Sequence, residues 1–192
     1  MANPELSVAA TAEPVSLEDA KMHLRVKNTG EDSLIQRQIR LAREYVEAVS
    51  HRQLINATWI LHLDAFPAII RPPLPPLSSV TTLKYYDVDN ALTTLTENTD
   101  FTVDNKNEPA RIEPEFATSW PSTRSRFNAV ELTYVAGYGT EGGDVPEQYV
   151  QAVLLLIANA YENREPIIVG AVGTEVAKSV NDLLLLDPIW TF

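Results

Sequence analysis

The chain has no cysteine. That one absence removes disulfides, thiolate metal sites and thiol nucleophiles together, and it fits any compartment. Positive charge is scarce as well: 15 Lys and Arg stand against 26 Asp and Glu, a formal net charge of -11. Such a balance argues against a surface that grips nucleic acid, because that binding is dominated by cations neutralising phosphates. It leaves room for DNA that passes close by unbound. No apolar run approaches ~20 residues, and no basic stretch followed by an apolar one opens the chain, so neither a membrane span nor a signal peptide is expected. The three histidines, His23, His51 and His62, have no His or Glu four residues on, which gives them no metal or acid–base pattern. No serine lies in a GxSxG elbow. An enzyme is not expected, and neither is a cofactor or a metal. Glycine is sparse at seven, whereas thirteen prolines are present and five of them fall between Pro67 and Pro76.

What is there is clearest from Asn128 to Glu165. The segment AVELTYVA alternates as a strand, GYGTEGG turns, and PEQYVQAVLLLIANAYENRE has helical period. Asp144 is the expected N-cap, Pro146 falls in the first turn where its missing N–H is harmless, and Glu147 complements the positive helix end. Val150, Val153, Leu154, Ile157 and Tyr161 share one face, while Tyr149, Ala152, Leu156 and Ala160 fill a second. A helix apolar nearly all round is buried on most sides. At ~1.5 Å per residue it spans roughly 30 Å, so it is either the central core helix or a helix shared between core and subunit contact.

The string Gly137-Tyr138-Gly139-Thr140-Glu141-Gly142 matches the dinucleotide fingerprint GxGxxG. Its context argues against it: the preceding strand alternates, the glycines do not open the helix, and no second strand with a ribose-binding carboxylate follows. A flexible turn is the reading adopted, with a nucleotide-binding domain as the minor alternative.

Residues 1–15 lack periodicity and read as a flexible N-terminal arm. Ser16 with Asp19 approximates a capping box that opens a short helix, LEDAKMHLRV, with Leu17, Ala20, Met22 and Leu24 available for burial. Asn28 to Gly30 break it. A longer helix runs from about Glu31 to Ser50, with Leu34, Ile35, Ile39, Ala42, Tyr45, Val46 and Val49 inward and an Arg43–Glu47 pair at i,i+4. The two make a helical hairpin over 16–53. A DNA-reading helix-turn-helix is disfavoured by the acidic chain.

From Ile55 the period is two, and residues 54–143 are expected to hold about six short antiparallel strands. FPAIIRPPLPP is an extended, edge-crossing connection. SSVTTLKYY and ALTTLT form a hairpin across Asp87 to Asn90, residues that lack the Gly and Glu of a calcium loop. DFTVD and ARIEP are two further strands. Arg124, Ser125 and Arg126 make a small basic spot on a solvated loop. After the core helix, 144–165, the segment 166–192 reads as an extended C-terminal arm in which Thr174 caps a short helix carrying Val176, Val180, Leu183 and Leu184. Its apolar end implies something to dock on, either its own core or another subunit. The expected fold class is therefore α+β: a helical core of two N-terminal helices and one long buried helix, an inserted antiparallel β domain, and a C-terminal docking arm.

In order along the chain, PVSLEDAKMHLRV, EDSLIQRQIRLAREYVEAVSHRQL, LDAFP with its proline run, PLSSVTTLKYYDVDNA, ARIEP, SWP, AVELTYVAGYG, YENRE and DPIW resemble the tailed-phage head–tail connector (adaptor) family. One departure stands out: Ser50-His51-Arg52 occupies a place where a small residue, Gly and Arg are expected. His51 must then take a left-handed cap conformation at some cost, or end the helix differently. The resemblance implies a structural virion protein of the phage neck, assembled in host cytoplasm as a ring of about twelve copies. Its implied partners are itself, the portal protein, a tail or stopper protein, and viral DNA sliding through without specific binding. It further implies a portal or subunit interface at Leu183, Leu184, Leu186, Pro188, Ile189, Trp190 and Phe192, and a core or subunit-contact helix through Val150, Val153, Leu154, Ile157 and Tyr161. Another tail-completion or virion structural protein is the alternative reading.

Overall fold

A computed structural model describes residues 3–163 and 174–187. Among these residues the fold is α+β, with four α-helices and antiparallel sheets. It divides into two compact units. One takes residues 3–10 and 56–138 and is built of strands; the other takes 11–55, 139–163 and 174–187 and is helical. The chain thus enters the β unit after Ile55 and leaves it at Gly139, two residues that form a β-bridge with each other in the helical unit.

In the β unit, the strands are β1 (Glu5–Val8), β2 (Ala57–Leu63), β3 (Leu77–Tyr86), β4 (Leu92–Leu95), β5 (Phe101–Asp104), β6 (Arg111–Pro114) and β7 (Val130–Ala136). One antiparallel sheet has the order β1-β2-β7-β3-β4, and β5-β6 is a separate hairpin. Alternation explains the arrangement. Val130, Leu132, Tyr134 and Ala136 of β7 are all buried, and they join Leu61, Leu77, Leu83, Phe101 and Ile112 in one apolar cluster. The proline run behaves as an extended edge connection: Ile70 exchanges both backbone hydrogen bonds with Ile112 at 2.9 Å, and Pro73 C=O accepts from the Tyr134 hydroxyl at 3.0 Å. Burial raises the Tyr134 pKa, so the phenol stays a donor. Phe66 stacks on Trp120 at 4.6 Å and holds the loop before β7. Asp87 Oδ1 accepts from Asp89 N–H and Ala91 N–H and closes the β3–β4 hairpin. Across β5–β6, Arg111 donates to Asp104 at 2.6 Å and holds that carboxyl well below the usual range.

In the helical unit, α1 (Leu17–Leu24), α2 (Asp32–Ser50), α3 (Glu147–Glu162) and α4 (Thr174–Leu184) pack α1 on α2 and α3, α2 on α3, and α3 on α4. Ser16 caps α1 as expected, its Oγ accepting from Asp19 N–H at 3.0 Å. α2 buries Ile35, Gln38, Ile39, Ala42 and Val46 and ends at His51, which does adopt the left-handed conformation (φ 55°). The Arg43–Glu47 pair is part of a larger cluster. Arg43 donates to Glu13 and Glu47 at 2.7 Å each, and Glu47 also accepts from Gln53 Nε2 and Leu54 N–H. Burial raises the Glu47 pKa against these stabilising partners.

Four sequence expectations change. Residues 3–15 are not a loose arm: Leu6 and Val8 pair with Trp59 and Thr58, Glu13 binds Arg43, and Val15 is buried. β1 is four residues long and exposed throughout, so it has no alternating burial pattern to show in sequence. The β segment is shorter than 54–143, its contacts ending at Tyr138. Asp144 does not cap α3. It accepts instead from Glu141 N–H at 3.1 Å in a 3-10 turn, Gly142–Asp144, and Pro146 holds the N-cap position. α3 is buried on one face, through Tyr149, Ala152, Val153, Leu156 and Ile157, and not on most sides. The short helix expected inside the C-terminal arm forms as α4, Thr174–Leu184; residues 166–173 and 188–192 lie outside the described residues.

Truncating Ile112, which is fully buried where the hairpin meets the proline connection, should destabilise the protein strongly. The expected loss for Ile112→Ala is about 2–5 kcal/mol, read as a lower urea midpoint at unchanged slope.

Candidate functional site and assembly surfaces

The helix singled out for core or subunit contact splits in two. Val153 and Ile157 are fully buried, whereas Val150, Leu154 and Tyr161 are half-buried. Tyr161 donates its hydroxyl to the Glu31 carboxylate, so its ring edge is held against the start of α2. α3 therefore has one face committed to its own unit and an adjoining apolar strip that is only partly covered.

Of the C-terminal residues, Leu184 is buried and Leu183 half-buried, while Leu186 is 68% exposed. Pro188, Ile189, Trp190 and Phe192 lie outside the described residues. Leu184 serves the fold of α4; Leu186 faces solvent with its neighbour Leu185, which is 72% exposed. What holds this end is an arrangement sequence reasoning missed. Arg52, only 1% exposed, ion-pairs with Asp187 Oδ1 at 3.2 Å and donates to the Asp187 carbonyl at 3.4 Å. Tyr149 donates its hydroxyl to Asp187 Oδ2 at 3.0 Å. A buried guanidinium needs such an anion, because an uncompensated charge inside is strongly unfavourable. The one available signal was the Ser50-His51-Arg52 string, where the arginine directly follows the left-handed cap and is turned inward by it.

The glycine turn is built for close packing and not for phosphate. A Cβ on Gly137 (φ 137°) would lie 2.5 Å from Asn56 N, and one on Gly139 would meet the Asp144 carboxylate at 2.0 Å. That carboxylate already takes the Glu141 N–H, so an anion would meet negative charge where a dinucleotide site offers free amides. The turn is braced and not flexible, and it is no nucleotide cradle. The basic spot is likewise occupied: Arg126 sits 4.0 Å over the Tyr86 ring and donates to Asn90 at 3.4 Å. Among the described residues no three His, Asp or Glu are grouped to hold a metal, and no helix is long and apolar enough to cross a membrane. The remaining features are uncovered apolar groups: Met22 on α1, Leu185 and Leu186 after α4, and Phe116 and Phe127 on loops of the β unit. Met22, expected inside, is 68% exposed because the short α1 fully buries only Ala20.

The profile of the phage gp6-like head-tail connector proteins matches residues 14–114, a little over half of the chain. This chain belongs to that connector family. Its fold is shared with a chain of the virion of a native gene transfer agent (GTA) particle, at TM-score 0.78 and 22% identity over 98% of this chain and 96% of that one. A chain from the neck of an empty GTA particle, computed with C6 symmetry, matches at TM-score 0.76 and 22% identity, covering 99% of this connector and 97% of that chain. A third, from the neck of a native GTA particle computed with C12 symmetry, gives 0.72 and 24% over 100% and 97%. No curated protein matches the connector.

Replacing Asp187 with Ala leaves Arg52 buried without its carboxylate. We expect a loss of about 2–3 kcal/mol in chemical denaturation, and a much smaller change for Asp182→Ala, whose side chain is exposed.

Proposed function

We propose that this connector is a structural virion protein that forms a ring beneath the portal, at the virion neck, and joins the DNA-filled head to the tail. The family match over residues 14–114 carries this reading. It is supported by the whole-length likeness to chains of GTA particles, one of them in a neck computed with C12 symmetry, and we take twelve copies as the ring size. The partners are further copies of the chain, the portal protein and a tail or stopper protein. The action is binding and sealing, with no turnover. Val150, Leu154 and Tyr161 form the strip through which α3 meets the neighbouring subunit, while the C-terminal segment, including Pro188, Ile189, Trp190 and Phe192, docks on the portal or on the adjacent copy.

The acidic balance of the chain, -11 overall, suits a ring whose bore DNA traverses, since like charge removes the attractive phosphate contribution and leaves the duplex free to slide. Replacing acidic residues of the bore with lysine should slow DNA ejection from assembled particles, most strongly at low salt; unaltered ejection kinetics would argue against a channel-lining role.

Light scattering of the purified protein mixed with portal rings tests the main reading. The full chain should add to portal in ring stoichiometry. A chain ending at Asp187, which keeps the Arg52 ion pair, should fold yet lose that addition. Equal binding by both would remove the docking role of the last five residues, and no binding by either would remove the portal-ring function.

A further inference from the structure

Two surfaces of the helical unit combine exposed apolar groups with charge. The first is an open groove of about 730 Å³ along α1. Leu17, Met22 and Val26 supply its apolar lining, and Glu18, Lys21, Arg25 and Lys27 its charges. Lys21 is bound to Asp32 at 2.6 Å; Arg25 and Lys27 against Glu18 then leave the groove locally positive in a chain that is strongly negative. The second surface is the turn after α4. Leu185 and Leu186 project into solvent, and Asp182 is exposed one turn earlier.

That turn is not a loose end. Leu185 N–H donates to Asn181 C=O at 3.0 Å, Leu186 N–H donates to Leu183 C=O at 3.2 Å, and the next residue, Asp187, is fastened by Arg52 and Tyr149. The protein therefore holds two adjacent leucines outward in a defined shape, beside a carboxylate. Knob and groove match in polarity and in charge: leucines for an apolar lining, Asp182 for Arg25 and Lys27. They are different patches of the same chain, so a contact between them is head-to-tail, and such contacts close into rings when the rotation permits.

We propose that Leu185 and Leu186 of one copy seat in the α1 groove of the next, with Asp182 facing Arg25 and Lys27, and that this contact builds the ring. It rests on the ring reading above and adds the two surfaces through which copies meet.

The cysteine-free chain allows a direct test in full-length protein. Met22→Cys and Leu186→Cys proteins, mixed in the presence of portal rings under mild oxidation, should give a covalent dimer that neither forms alone. In parallel, Met22→Asp and Leu186→Asp, both at exposed positions, should each lose the ring mass in light scattering. An equimolar mixture of these two Asp variants should stop at a dimer, because one intact knob and one intact groove remain between them. If wild-type rings form but the disulfide does not, or if both Asp variants still assemble, the proposed contact is wrong. If the wild-type chain forms no ring with or without portal, the ring function itself fails and the contact falls with it.

Discussion

Strand β7 is hydrogen-bonded on both sides, and the β unit takes its form from that constraint. Val130–Ala136 pairs residue for residue with Ala57–Leu63 on one flank and, across two register shifts, with β3 on the other. Because its side chains alternate strictly, a slip of one position would turn Val130, Leu132, Tyr134 and Ala136 outward and place Glu131 and Thr133 in the core. The register is thus fixed by burial. Pairing also fixes where the chain leaves the sheet, at Gly137, whose close approach to Asn56 admits no side chain. The braced turn and α3 follow directly from that exit.

The helical unit has its own anchor in the Arg52–Asp187–Tyr149 group. Its three members come from the chain just after α2, the end of α4 and the first turn of α3. A charge buried this deeply contributes little net stability compared with an apolar replacement, yet removing its partner is costly, so Arg52 holds Asp187 where the pair forms. The same fastening that completes the helical unit sets the direction in which Leu185 and Leu186 point.

Much of the fold was legible because period tracks burial. The alternation in β7, the 3.6-residue spacing in α2 and the aspartate-rich turn before β4 each carry a local signal, and each element lies where that signal placed it. Where competing local partners exist, the signal misleads: Asp144 looked like the cap of α3, but Glu141 N–H is nearer and Pro146 takes the cap position. The Arg52–Asp187 bond, 135 residues apart in sequence, has no local signature at all. Likewise, apolar residues all round α3 announce contact without saying with what; Val153 turned out to face its own unit and Val150 only partly so. The family was legible from the order of short motifs, whereas residue-level interfaces depend on surfaces that sequence order does not encode.

The bridge between Ile55 and Gly139 has a consequence for how such a protein can vary. Bridged residues lie about 5 Å apart, so the points where the chain departs for the strands and returns from them are neighbours. Among the described residues, almost the whole of the β unit is a cassette whose two ends meet at one doorway of the helical unit, and β1 joins it by another route. Insertions, deletions or exchange of that cassette leave the ends of α2 and the start of α3 where they were.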